Sequence, residues 1–292
     1  MPKISERLPG AGQFRRLIFP AIPAMPVWLY QPVTLVNKQR IIVAVHGISR
    51  DSEEQVREYC HLADRLGCWL VAPEFSAQAY PRYQQLARAS GYPRADLALN
   101  SFLALWRGVV SQPGLKMYLA GYSGGAQFAH RYAMHHPQQV AALVLSSAGW
   151  YSFPDRKRDY PCGIANSVGL NRVRLNELLQ LPMLVTVGEQ DLARDGSLRI
   201  SVTLDQQQGS NRFERAVNWS QAVRKLQLKK SYRPVQLTVL GGQSHSFINN
   251  MQQGRMAELI LNFLQQSEGE RNEKISYPVG SGNAGKYCRM SG

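Results

Sequence analysis

The chain has 292 residues, 44% of them hydrophobic, and a formal net charge of +14 at pH 7. That length and apolar content suffice for one large domain with a sizeable core. No apolar run approaches the roughly 20 residues of a membrane span, and no basic start leads into an apolar core as in a secretory signal, so a cytoplasmic location is expected.

Taken in chain order, Pro9, Pro20, Pro23, Pro26 and Pro32 make the first thirty residues unsuited to a helix. Phe14 to Phe19 and Val27 to Tyr30 are therefore expected as extended edge segments at best, and residues 1–26 as a Pro-rich extension. Arg40 to Val45 reads as a buried parallel strand ending in His46-Gly47-Ile48, followed by a helical pattern from Glu53 to Leu66. Cys68 to Ala72 is the next strand pattern and Asp96 to Val110 the next helix. Met117 to Ala120 is another apolar run, and it feeds directly into Gly121-Tyr122-Ser123-Gly124-Gly125 and a helical segment to His135.

Strand, sharp turn and helix with a serine at the apex form a G-x-S-x-G turn, in which small neighbours are needed because the serine backbone is strained. Such a turn presents the Ser123 hydroxyl and leaves the Gly124 amide free at a helix N-terminus, where it can donate to a developing oxyanion. The amide of Ile48, after the tight turn at Gly47, is the candidate second donor. His46 at the strand end is read as orienting that loop rather than as a base. A chance serine in a glycine-rich loop is the competing reading, so the partners of Ser123 decide.

After the strand at Ala141 to Ser146, the patterns Met183 to Val187 and Val235 to Leu240 end in Gly188-Glu189-Gln190-Asp191 and Gly241-Gly242-Gln243-Ser244-His245. Asp191 and His245 are the candidate acid and base for Ser123. A capping or turn aspartate is the alternative for Asp191, with Glu189 and Asp195 as rival acids, and a surface histidine is the alternative for His245. A helix is expected from about Arg255 to Leu264, then a polar, glycine-rich tail over 267–292. Strand and helix patterns alternate along the chain, which argues for an α/β fold with a mostly parallel central sheet and helices on both faces.

With these motifs in place the chain resembles the α/β-hydrolase superfamily, through His46-Gly47-Ile48, Gly121 to Gly125, Gly188 to Asp191 and His245, over residues 27–266. Gly124-Gly125-Ala126-Gln127-Phe128 and Ser146 to Trp150 are similar to the esterase and polyester-depolymerase-like branch, and serine at the turn argues against branches that place aspartate there. The resemblance implies a serine hydrolase acting on an ester or related acyl bond, with no metal or organic cofactor, and a small cap insertion at 150–180. Tyr122, Trp150, Tyr151 and Phe153 are candidate substrate contacts, ordinary packing being the alternative for the last three. An acyltransferase, a thioesterase or a non-catalytic receptor would share the same residues. Cys60, Cys68, Cys162 and Cys288 show no CxxC pair or metal-ligand spacing, so reduced thiols are expected. Residues 211–233 hold seven Lys or Arg against Glu214 alone, which allows an anionic substrate or surface, while no nucleic-acid motif is present and oligomeric state is not legible.

Overall fold

A computed structural model describes residues 8–86, 91–166 and 172–276. Among the described residues eight strands form one sheet: β1 (Phe14–Leu17), β2 (Val27–Tyr30), β3 (Arg40–Val45), β4 (Trp69–Pro73), β5 (Lys116–Tyr122), β6 (Val140–Ser146), β7 (Met183–Gly188) and β8 (Gln236–Leu240), in the order β1-β2-β4-β3-β5-β6-β7-β8. β1 and β2 are antiparallel additions, and every pairing from β4 to β8 is parallel. The helices are α1 (Ser52–Leu66), α2 (Ala95–Val109), α3 (Gly124–His135), α4 (Leu175–Leu179), α5 (Val202–Gln208), α6 (Arg212–Leu228), α7 (Phe247–Gln252) and α8 (Met256–Ser276).

The central strands read as unbroken apolar runs because both faces of the sheet are covered. Ile41, Val43 and Val45 of β3, with Met117 and Leu119 of β5, point into a core shared with α2, α3 and α6. Ile42 and Ala44, with Tyr118 and Ala120, point the other way onto α1, α7 and α8. This is the period-two alternation of a strand with two buried sides. In-register parallel pairing, Val43 with Leu119 and Leu119 with Leu143, brings the carboxyl ends of β3, β5 and β6 to one edge. Loops at that edge of a parallel sheet are where ligand sites form.

Two terminal segments differ from the expectation. Val27–Tyr30 is not an edge, since β2 lies between β1 and β4 with Val27 and Leu29 fully buried. Its prolines bracket the strand rather than interrupt it, and the carbonyl of Pro26 accepts from the Glu74 amide at 2.8 Å. The edge is β1, where Arg15 and Arg16 put charge on the exposed strand. At the other end α8 continues past Gln266 to Ser276, carried by helix-forming polar residues and an Arg40–Glu268 ion pair of 2.7 Å. The remainder of the expected tail, 277–292 with Cys288, lies outside the described residues, as do 1–7 of the N-terminal extension and 167–171 of the expected cap.

Candidate active site

The turn after β5 leaves little freedom. Ser123 has φ 52° and ψ −111°, a region that costs about 1–3 kcal/mol for a non-glycine residue and persists only where surrounding structure enforces it. Here the enforcement is steric. A Cβ on Gly125 would lie 2.0 Å from the Val45 carbonyl oxygen, and one on Gly121 would lie 2.3 Å from the Gly125 backbone. Only glycines let α3 start directly against the ends of β3 and β5. The Ser123 amide donates to the Ser146 carbonyl at 2.8 Å, and the Ser123 carbonyl accepts from Gln127 to begin the helix.

Asp191 and His245 reach Ser123 because the two loops that carry them are bonded to each other. Glu189 N donates to Leu240 O at 2.9 Å and Gln190 N to Gln243 O at 2.8 Å. His245 Nδ1 then lies 2.8 Å from Asp191 Oδ2, and His245 Nε2 lies 3.1 Å from Ser123 Oγ. A proton on Nδ1, held by the carboxylate, leaves Nε2 as the acceptor facing the serine hydroxyl. Of the rival acids, Glu189 accepts from the Gly242 amide at the surface, and Asp195 accepts from the Ser197 amide and hydroxyl. The Asp195 carboxyl is held down at about 2 by those Ser197 bonds and by Arg212.

Behind Asp191 stands Arg212, fully buried, with Nη1 3.5 Å from Asp191 Oδ1. Its partner on α6, Arg215, is also fully buried and donates to Gly149 O, Arg199 O and Asp205. Two of the seven basic residues in the 211–233 stretch therefore serve the interior near the site rather than a charged surface. Sequence patterning gave no sign of this, because a buried guanidinium is recognisable only from partners that are distant in the chain.

The loop after β3 is held by Tyr83, which no local sequence pattern marks. The Tyr83 hydroxyl, fully buried, donates between His46 O and Gly47 O at 2.8 and 2.9 Å. A Cβ on Gly124 would meet that hydroxyl at 2.7 Å and the Ile48 amide nitrogen at 3.3 Å, so the Ile48 amide and the first residue of α3 are neighbours beside Ser123. Both nitrogens of His46 are engaged: Nδ1 with Gly47 O at 2.8 Å, and Nε2 accepting from the Phe75 amide at 3.1 Å. Burial pushes the His46 imidazole down to about 4. The folded protein keeps it neutral while the unfolded chain binds a proton near pH 6.5, so its contribution is intact above pH 6.5 and is lost as pH falls toward 4. Urea unfolding is expected to show a loss of about 2–3 kcal/mol from this group between pH 7 and 4.5, and His46→Gln is expected to flatten the pH dependence by that amount. Part of the slope remains in the variant, since burial also depresses His130.

Ser123 opens into a cleft of about 290 Å³ whose walls include Ile48, Tyr122, His245, Phe247 and Ile248. The Tyr122 ring lies 5.3 Å from that of His245, and its hydroxyl accepts from Asn250 at 3.2 Å. Trp150, Tyr151 and Phe153 are not among the cleft residues. The guanidinium groups of Arg131 and Arg199 lie over the Trp150 ring, at 4.1 and 4.8 Å, and Tyr151 stacks on Trp219 at 4.9 Å. Phe153 packs half-buried against the core. Ser197, from the segment after β7, lines the cleft where the 150–180 insertion was expected to contribute. Among the described residues no helix is long and apolar enough to cross a membrane, and Cys60, Cys68 and Cys162 are free thiols.

No family model matches the sequence, and no curated protein matches it. Solved structures do match. Poly(aspartic acid) hydrolase-1 from Sphingomonas sp. KT-1 superposes with a TM-score of 0.72 at 20% identity, over 86% of this chain and 99% of that one. A poly(3-hydroxybutyrate) depolymerase from Bordetella parapertussis gives 0.68 at 25% identity, over 84% and 88%. A ferulic acid esterase gives 0.58 at 15% identity, over 87% and 96%. The common element is the arrangement of strands and helices that carries the site edge.

Proposed function

We propose that this chain, which has the α/β-hydrolase fold, is a serine hydrolase that cleaves a carboxylic ester or related acyl bond. The observation that carries the reading is the continuous series Asp191–His245–Ser123, at 2.8 and 3.1 Å, opening into a cleft beside the amides of Ile48 and Gly124. In this scheme Nε2 of His245 takes the Ser123 proton as the hydroxyl attacks the carbonyl carbon. Asp191 stabilises the resulting imidazolium, and the two amides donate to the oxyanion. Collapse of the tetrahedral intermediate transfers the proton from His245 to the leaving alcohol and leaves an acyl group on Ser123 Oγ. Water, deprotonated by the same histidine, then attacks the acyl carbon; the acyl–Oγ bond breaks, His245 returns its proton to Ser123 Oγ, and the acid is released.

An ester is favoured over an amide because its alcohol is the better leaving group; the structural neighbours name both linkages, a polyester in poly(3-hydroxybutyrate) and a polyamide in poly(aspartic acid). Steady-state hydrolysis of 4-nitrophenyl acetate, butyrate and octanoate tests the reading. The expected result is release of many equivalents of acid per protein. Release of a single equivalent of 4-nitrophenol, with the acyl group retained on the protein, would instead assign a receptor that holds its ligand, and diversion of the acyl group to an added alcohol or thiol in preference to water would assign a transferase.

A further inference from the structure

The cleft in front of Ser123 runs against the charge of the whole chain. The sequence carries +14, yet the one formally charged side chain among the described cleft residues is Glu54. Glu54 stands in the first turn of α1, where the helix N-terminus favours an ionised carboxylate. Its amide is taken by Asp51 Oδ1 at 2.8 Å, whereas its carboxylate has no hydrogen bond or ion pair among the described residues. Nearby charges are engaged elsewhere. Glu53 pairs with Arg57, Glu58 accepts from Gln252, and Arg50 donates to the carbonyls of Phe75, Tyr80 and Pro81 with its guanidinium over the Tyr83 ring. Partial burial, with Asp51 and Glu58 close by, raises the Glu54 pKa, as expected of a carboxylate lacking a counter-ion.

We propose that Glu54 is a specificity-determining residue: the substrate arm that enters this cleft packs on Ile48, Phe247 and Ile248 and carries a cationic group, such as an ammonium, opposite Glu54. A carboxylate-bearing arm is repelled by the same charge. This rests on Ser123 being the nucleophile and adds the chemistry of what it acts upon.

The test uses the full-length protein and activated phosphonate probes of equal length, with a trimethylammonium, an isosteric tert-butyl or a carboxylate terminus. The terminus is placed on the leaving arm in one series and on the retained arm in a second. The rate constant for Ser123 phosphonylation is read by intact mass. In the series whose arm enters the cleft, the cationic probe is expected to react about tenfold faster than the neutral isostere and the anionic probe about tenfold slower. In Glu54→Gln, which keeps the side-chain shape, both ratios are expected to fall to within about twofold of one. Equal rates in both series, or ratios that persist in Glu54→Gln, would overturn the role of Glu54 while leaving the nucleophile intact. A neutral probe that never labels Ser123 would overturn the hydrolase reading, and this inference with it.

Discussion

Ser123→Ala is expected to lower turnover of an activated ester by roughly 10⁵-fold or more while leaving the unfolding transition in place. The size follows from the proposed covalent route: without Oγ no acyl-enzyme forms, and the cleft and the Ile48 and Gly124 amides retain only the modest acceleration of binding and oxyanion stabilisation. The fold should tolerate the change. The φ of 52° is imposed by Gly121, Gly125 and the strand ends whichever small side chain is present, and among the described residues the Ser123 hydroxyl bonds only to His245. His245→Ala should cost a similar factor, because nucleophile and base act as a unit, and the double variant should be little worse than either single one. Steady-state kinetics with thermal melts on the three variants checks this. Retention of more than a hundredth of the wild-type kcat in Ser123→Ala would remove the serine from the mechanism.

Asp191→Asn is expected to cost roughly 10⁴-fold in kcat with the loops intact. The carboxylate accepts a hydrogen bond from His245 Nδ1–H, whereas an asparagine amide can turn its N–H toward that nitrogen and stabilise the opposite tautomer. Nε2 would then carry the hydrogen and could not accept one from Ser123. Asp191 is fully buried against the equally buried Arg212, so the variant also weakens an interior ion pair. Asp195, 3.4 Å from Arg212, remains as an acidic partner and limits the structural cost. A loss smaller than about tenfold at pH 7 would show that Asp191 does not set the tautomer of His245.

The legible parts of this molecule were those written in local rules. Gly121 and Gly125 announce the serine turn because no other residue fits between β3, β5 and α3, and the apolar runs of β3, β5, β6 and β7 announce a sheet covered on both faces. The order of Ser123, Asp191 and His245 at strand ends was legible for the same reason. Features that depend on distant contacts were not. β2 reads as an edge strand next to Pro26 and Pro32, yet β1 covers it. Trp150 and Tyr151 read equally well as ligand contacts or as packing, and their neighbours Arg131, Arg199 and Trp219 come from other segments. Arg212 and Arg215 look like members of a basic helical surface until α6 folds against the end of β7 and buries them. Tyr83 lies in a segment without periodicity, and its hold on the His46 and Gly47 carbonyls exists only in three dimensions.

The most direct test of the account is labelling of the purified protein with an uncharged fluorophosphonate, followed by peptide mass analysis of wild type and His245→Ala. The geometry predicts one adduct on wild type, on the peptide containing Ser123, and a labelling rate reduced by several orders of magnitude when Nε2 is removed. A folded wild-type protein left unmodified, or modified at another residue at a rate indifferent to His245, would contradict the assignment of Ser123 as an activated nucleophile.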